Sequence, residues 1–545
     1  MNIIRSILSR QFASRGLVTA AALVLLSACA MGSDFARPAA PASRHYDLQA
    51  EHQLAATDRG HDEQRLAADR SIEGAWWSAL ASRKLDRVMR EAIIGNLDLA
   101  AADDTIAQAD EAVTAADGEL SPQLDFAAQG GRQRAASGGR PATSDFYAVG
   151  PLVSFDFDLF GGIRRQVEER SAVAELQRHR FDAAYLTVTG NVANQALLLA
   201  SARAQIDAVQ RLLQQDRRTL ELIRAAHRYG SATQVDVALA KTQLAQDETL
   251  LPPLAQQRDT ARHALSILAG KGPADWVPPD FDLNDFILPA NLPFSLPSEL
   301  ARDRPDILEA EAALHAASAA VGVATAARYP QLQISASLSA TGPGIGTLWG
   351  IASGLTAPIF DGGTLRAEQR AAIDRYQAFL AGYRQTVIKS LSQVADVLQA
   401  INHDGEEFDA QSRALNSAAT NLRLNRDAYR AGEIGVLQVV DAERTYQRAL
   451  IGRIRTRTAQ YLDTVQLAIA LGGHANGAFE RGVPGHARDS ASALLDQQAQ
   501  AIRGRCLARL APHPDEQAAS TECTVPLTVA DSRPPLPQPI SSIRE

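Results

Sequence analysis

The chain has 545 residues and a formal net charge of −8, with 54 Lys and Arg against 62 Asp and Glu. That balance argues against a nucleic-acid partner, and the three cysteines, Cys29, Cys506 and Cys523, are too few for a disulfide-built scaffold. Aromatic residues make up only 5% while alanine is abundant, a composition suited to long, closely packed helices.

The N-terminus reads as a targeting segment, residues 1–28. Arg5, Arg10 and Arg15 precede an apolar run from Leu17 to Ala28, which is too short to span a bilayer as a helix. The run ends in Leu26-Ser27-Ala28-Cys29. Small residues before a cysteine at this place look like a bacterial lipobox, with cleavage before Cys29 and a covalent lipid on its thiol. An ordinary signal peptide with an unrelated cysteine is the alternative. Ala30, where an Asp would retain a lipoprotein at the inner membrane, favours the outer one. No later apolar run reaches the length of a membrane helix, so a membrane-crossing part must be strands closed into a barrel.

Residues 29–75 read as an extended segment that carries the anchor, and Trp76-Trp77 as the start of ordered structure. A helix is predicted from about Lys84 to Gly118. Two strands follow, at 122–133 and 145–159. In the second, Val153, Phe155, Phe157 and Leu159 alternate with Ser154, Asp156 and Asp158, the period of a half-buried strand. From Ile163 to Tyr229 no proline interrupts a helical pattern, and Ile206, Val209, Leu213, Leu220 and Ile223 follow a 3-4 spacing that Asp216 breaks. Gly230 stops this helix. A returning helix starts near Thr233, meets Pro252-Pro253 and resumes to Ala269.

The chain then repeats itself. Residues 305–332 align without a gap on 97–124 at an offset of 208, pairing Asp98 with Asp306 and Pro122-Gln123-Leu124 with Pro330-Gln331-Leu332. Asp158, Gly161 and Gly162 are answered by Asp361, Gly362 and Gly363. Arg228, Gly230 and Asp236 are answered by Arg430, Gly432 and Asp441. The second half predicts strands at 330–340 and 348–360, a helix from Thr364 to Ala431 and a return from Val436 to Leu471. Either long helix would reach roughly 100 Å, against a globular norm of about 11–12 residues. The reading is an α+β membrane protein with an internal tandem duplication. Its parts are a first repeat at 76–283, a second at 284–473 and an irregular extension at 474–545. Two hairpins and two strand pairs give four strands per subunit, too few to close a barrel from one chain.

Taken in order, Cys29, Trp76-Trp77, Asn96-Leu97-Asp98, Pro122-Gln123-Leu124, Asp158 to Gly162, Arg304-Pro305-Asp306, Pro330-Gln331-Leu332, Phe360 to Gly363, and Gly432 before Val439-Val440-Asp441 resemble the TolC-type outer-membrane efflux family, in its lipoprotein (NodT/OprM-like) branch. The resemblance spans about residues 70–472. It implies a homotrimer whose strands close one 12-stranded barrel in outer-membrane lipid. The coiled-coil hairpins would then form a periplasmic tube. It implies partners: a periplasmic adaptor protein and an inner-membrane efflux transporter. It implies no cofactor beyond the lipid on Cys29.

The resemblance also places a gate at the hairpin tips. Asp441 is the expected constriction, three copies around an axis. Asp236 and Tyr429 match positions that link neighbouring hairpins, the usual basic partner falling at Ile434. Gln438 stands where an Asp is often found. Asp156 and Asp158 are candidates to line the barrel, Gly230 and Gly432 to form the tip turns, and Gly161, Gly162, Gly362 and Gly363 to turn strand into helix. Cys506 and Cys523 have the option of pairing. The histidines show no metal-ligand spacing, no phosphate loop follows a strand and no nucleophile–base constellation is present, which argues against an enzyme. The function expected is a passive exit duct. A periplasmic adaptor or a structural coiled-coil envelope lipoprotein is the alternative.

Overall fold

The computed structural model describes residues 31–39, 41–55, 64–68, 75–137, 140–342 and 346–473, all within one unit, Met1–Val483. The signal segment, Cys29, Cys506, Cys523 and the extension at 474–545 lie outside the described residues.

The N-terminal segment is more structured than its composition suggests. It contributes helix α1 (Leu48–Ala55) and strand β1 (Arg65–Ala68). Ala50 and Leu54 are buried in a cluster with Val394, Leu398, Ile401 and Leu467. Asp47 accepts from the amides of Gln49 and Ala50 and so starts α1. The anchor segment is therefore laced onto the second half of the chain. A 3-10 turn at Trp76–Leu80 follows, its two tryptophans stacked edge to face in the largest core cluster.

The helix expected over Lys84–Gly118 is two, α2 (Arg83–Gly95) and α3 (Leu97–Gly118). Asn96 makes the break. Its Oδ1 accepts from the amides of Asp98 at 3.0 Å and Leu99 at 3.1 Å, capping α3. Its Nδ2 donates to the Leu268 carbonyl at 3.0 Å. A side chain that caps one helix and docks on another ends α2 at a place where helix periodicity alone would continue.

Strands β2 (Gln123–Ser137) and β3 (Arg140–Phe157) form a hairpin longer than the alternation signalled. Next come α4 (Gly162–Arg228), α5 (Gln234–Glu248) and α6 (Leu251–Leu268). Strand β4 (Asn291–Phe294) pairs in parallel with β1, and α7 (Pro297–Asp303) leads to α8 (Pro305–Ala326). The second hairpin is β5 (Gln331–Gly342) with β6 (Gly346–Thr356). Helices α9 (Thr364–Arg430) and α10 (Val436–Ala470) close the described chain. α4 and α9 each have 67 residues, about 100 Å at 1.5 Å per residue.

By length and apolarity alone α8 is sufficient to cross a membrane. This differs from the expectation that no later run reaches the length of a membrane helix. Its apolarity is that of an alanine-rich packing helix: Ile307, Leu314, Ala317 and Ala319 are buried, and Ile307 and Leu314 cluster with Tyr383 and Val387 of α9.

Candidate functional site

The sheet is the first half of the site. Its order is β2-β3-β5-β6, antiparallel throughout. Registered neighbours share a face. Leu124 opposes Val153, which opposes Ala336, which opposes Ile351. Phe157 opposes Leu332, which opposes Leu355, and Leu338 opposes Trp349. That face is apolar across all four strands. Leu124, Phe126, Trp349, Ile351 and Leu355 are each more than 60% exposed in the single chain. The other face carries Gln123 opposite Ser154, then Ser335, Asp156 opposite Gln333, and Ser337 opposite Gly350. Strands β2 and β6 each leave one edge unpaired among the described residues.

Asp156 lies on the polar face as its alternation predicted. Asp158 does not lie in the strand at all. It follows the end of β3 and accepts from the amides of Ile163 at 3.1 Å and Arg164 at 3.0 Å, while Arg164 Nε bonds it at 3.2 Å. Leu159, read as part of the same strand, also falls past its end. Asp361 repeats the arrangement for α9, accepting from Gly363 and Leu365 amides, which hold its carboxyl below the usual range, Leu365 the more strongly. Both aspartates are helix caps: each places a carboxylate on a positive helix N-terminus. The turns need left-handed backbone at Gly161 (φ 76°), Gly362 (φ 66°) and Gly363 (φ 90°). Gly162 does not. It is the first residue of α4, where an added Cβ would press to 3.3 Å from Ala326 Cβ.

The hairpin tips are the second half. Both turn the same way. Gly230 (φ 76°) and Gly432 (φ 78°) follow the last helical turns. The amides of Ser231 and Glu433 reach back to the Ala226 and Ala428 carbonyls, each at 2.9 Å, as in a glycine-terminated helix. Beyond the turns they differ. Thr233 caps α5, and Asp236 Oδ2 accepts from the Thr233 amide and hydroxyl, both at 2.8 Å. Those two bonds hold Asp236 below the ordinary carboxylate range. Asp236 is thereby committed to its own helix start, not extended toward a neighbouring hairpin. Gly435 precedes α10 with no side-chain cap.

Asp441, Gln438 and Tyr429 are exposed around this second tip. The Asp441 carboxylate makes no bond among the described residues, and its carbonyl accepts from Thr445 Oγ1. Two residues on, Glu443 turns inward, buried and bonded to Arg426 at 2.8 Å. Val436 packs on the first tip, against the cluster of Leu220, Ile223 and Val237. The tips thus lie together, and the structure brings Asp236, Tyr429, Gln438 and Asp441 to one end of the helices. Sequence reading missed the Arg426–Glu443 pair. It named Arg304 in a motif but gave it no role; its guanidinium bonds Asp306, Gln393 and the Ala470 carbonyl that ends α10. That network gives the Arg304-Pro305-Asp306 motif its physical meaning.

Among the described residues no group of three or more His, Cys, Asp or Glu stands where it would hold a metal ion. The sequence profile of the outer membrane efflux protein family matches residues 88–271 and again 296–473. The chain belongs to the outer membrane efflux protein family. This efflux channel is 32% identical to the pyoverdine export outer membrane protein OpmQ of Pseudomonas aeruginosa over 427 residues, 75% of this chain and 90% of the relative. It is 26% identical to the cation efflux system protein CusC of Escherichia coli K12, over 82% of this chain and 97% of the relative. The crystal structure of the open state of the Neisseria gonorrhoeae MtrE outer membrane channel superposes with a TM-score of 0.71 at 26% identity, covering 82% of this chain and 99% of that one. The channel resides in the outer membrane and conducts efflux.

Proposed function

We propose that the channel is the passive exit duct of a tripartite pump, built from three copies of this chain. The observation that carries the reading is the four-stranded sheet. One face is apolar and exposed, the other bears Gln, Ser and Asp156, and both edges are open. An open edge in lipid leaves backbone groups unsatisfied at a cost of several kcal/mol each. Three such sheets joined edge to edge give 12 strands and remove every edge. The apolar face then meets lipid and the Gln/Ser face lines water. The two matches to one family profile and the two 67-residue helices support a tandem duplication, which gives each subunit two equivalent hairpins for the tube.

The gate of this duct is the ring of three Asp441 carboxylates, exposed and unbonded at the tip. Crowded around an axis, their negative charges favour the passage of cations. Asp236 and Gln438 flank the ring, and Tyr429 faces the neighbouring subunit. The basic partner expected opposite is replaced by Ile434, so closure relies on packing such as Val436 against the first tip. A lipid on Cys29 anchors each subunit, and a periplasmic adaptor and an inner-membrane transporter complete the pump. The named cargoes of relatives differ, from pyoverdine to cations. Selectivity in this reading therefore belongs to the transporter.

The test is single-channel conductance in a planar bilayer, wild type beside Asp441→Ala. The expected result is a small cation-preferring conductance that rises severalfold in the variant. Conductance untouched by the substitution moves the gate elsewhere. A stable trimer that conducts in neither form overturns the duct.

A further inference from the structure

Asp216 sits in the apolar seam of α4, among Leu212, Leu213, Leu220 and Ile223. It is only 6% exposed, and its Oδ2 is buried without a hydrogen-bond partner. Across the hairpin it meets the carboxyl of Asp247. Asp247 lies in the last turn of α5, where Gln243 Nε2 donates to its Oδ2 at 2.5 Å. Two carboxylates forced together in a buried seam cannot both be ionised cheaply. A shared proton relieves the repulsion and satisfies the orphaned oxygen.

The backbone beside this pair is a hinge. α5 ends at Glu248, and Thr249 and Leu250 bond back only to Gln246 and Asp247, at 3.2 and 3.1 Å. Pro252 and Pro253 follow and have no amide to offer Glu248 or Thr249. The distal arm, α5, can therefore pivot where Asp247 is attached. The second hairpin has no such break, since α10 runs unbroken for 35 residues.

We propose that the Asp216–Asp247 pair is a proton-operated latch that holds the distal arm of the first hairpin against α4. Protonated, it closes the seam; ionised, it repels across it. The latch goes beyond the duct reading and does not depend on conduction. The other charges facing the pair come from α10, where Arg444 favours the ionised form and Glu443 opposes it. Glu443 is itself neutralised by Arg426 of α9. Beside them on the pair's own helices Arg217 and Glu248 bond each other at 3.1 Å. Among the described residues no third ligand completes a metal site here, so the proton is the ligand. Burial and the Asp247 charge push Asp216 up to about 7.

The sign follows. The opened arm exposes Asp216 to water, where it ionises near pH 4, and the closed seam keeps its proton to about 7. Closure is strongest in acid. It weakens by about tenfold per pH unit between those limits and is constant above neutrality. Hydrogen exchange of the full-length channel in detergent, corrected for chemical exchange rates, reads this directly. Amide protection over residues 234–248 should fall from pH 5 to pH 7 and then level. Protection over α3 stays flat as the internal reference. Asp216→Asn should abolish the dependence, and Asp247→Asn should do the same where Asn at 216 disturbs assembly. A flat wild-type profile overturns the latch, and so does a dependence that survives in a folded variant.

Discussion

The two hairpins share a plan and divide the work. Both leave a sheet through an aspartate-capped glycine turn, run 67 residues outward and reverse at a glycine with φ near 77°. The first then caps its return arm with Thr233 and Asp236 and breaks it before Pro252-Pro253. The second starts its return uncapped at Gly435 and runs straight to Ala470. Counted from the turn glycines, Asp236 corresponds to Gln438, and Asp441 lies about one helical turn further along. Asp236 is bound into the first hairpin's own backbone, while the Asp441 carboxylate is exposed and makes no bond among the described residues. A repeated sequence has one interrupted return arm and one unbroken one, and among the described residues the unbonded carboxylate near the tip is on the unbroken one.

The contrast can be broken first at the tip core. Ile223 is 1% exposed against Leu220 and Val237. Ile223→Ala should cost about 2–4 kcal/mol. Because the first arm is already interrupted, that loss should appear as local opening of α5 by hydrogen exchange, with α10 little affected. On the unbroken side, Glu443→Gln removes the buried partner of Arg426, which is 44% exposed and can rehydrate. A loss of about 1–2 kcal/mol is expected between α9 and α10, read as lowered protection of both.

A pH test separates the hairpins further. Asp463, near the C-terminal end of α10, meets Asp404 in the middle part of α9. Burial and that neighbour raise it to about 7. Its fold stabilisation is complete below about pH 4 and lost as pH rises through 7. Asp463→Asn should leave the thermal midpoint unchanged in acid and stabilise the channel at pH 8, by roughly 1–2 kcal/mol after allowance for partial exposure. A midpoint lowered at both pH values would mean that Asn cannot replace the shared proton. At the small end, Thr233→Ala should cost the first arm about 1 kcal/mol. Gly435→Ser should gain the second a few tenths, its Cβ meeting only the movable Gln438 Oε1 at 3.2 Å. Hydrogen exchange of the first turns of α5 and α10 measures both.

Much of this architecture was legible along the chain because it rests on local rules. Strand alternation around Val153 and Phe155, the uninterrupted helical stretches and the stopping glycines each act over a few residues, and the repeat made them visible twice. The breaks that were missed come from contacts distant in sequence. Asn96 ends α2 because it caps α3 and bonds Leu268, and the N-terminal segment is ordered because α1 packs on α9 and β1 pairs with β4. The candidate site divides the same way. Sequence by itself determined the turns, the two-faced strands and the positions at which carboxylates recur. Only the tertiary structure decided which carboxylate is exposed at the tip and which meets another across a buried seam. A carboxylate's role is set by the donors and charges within a few ångströms of it: the capping aspartates find theirs within one or two helical turns of sequence, whereas Asp216 meets Asp247 only because α5 folds back along α4.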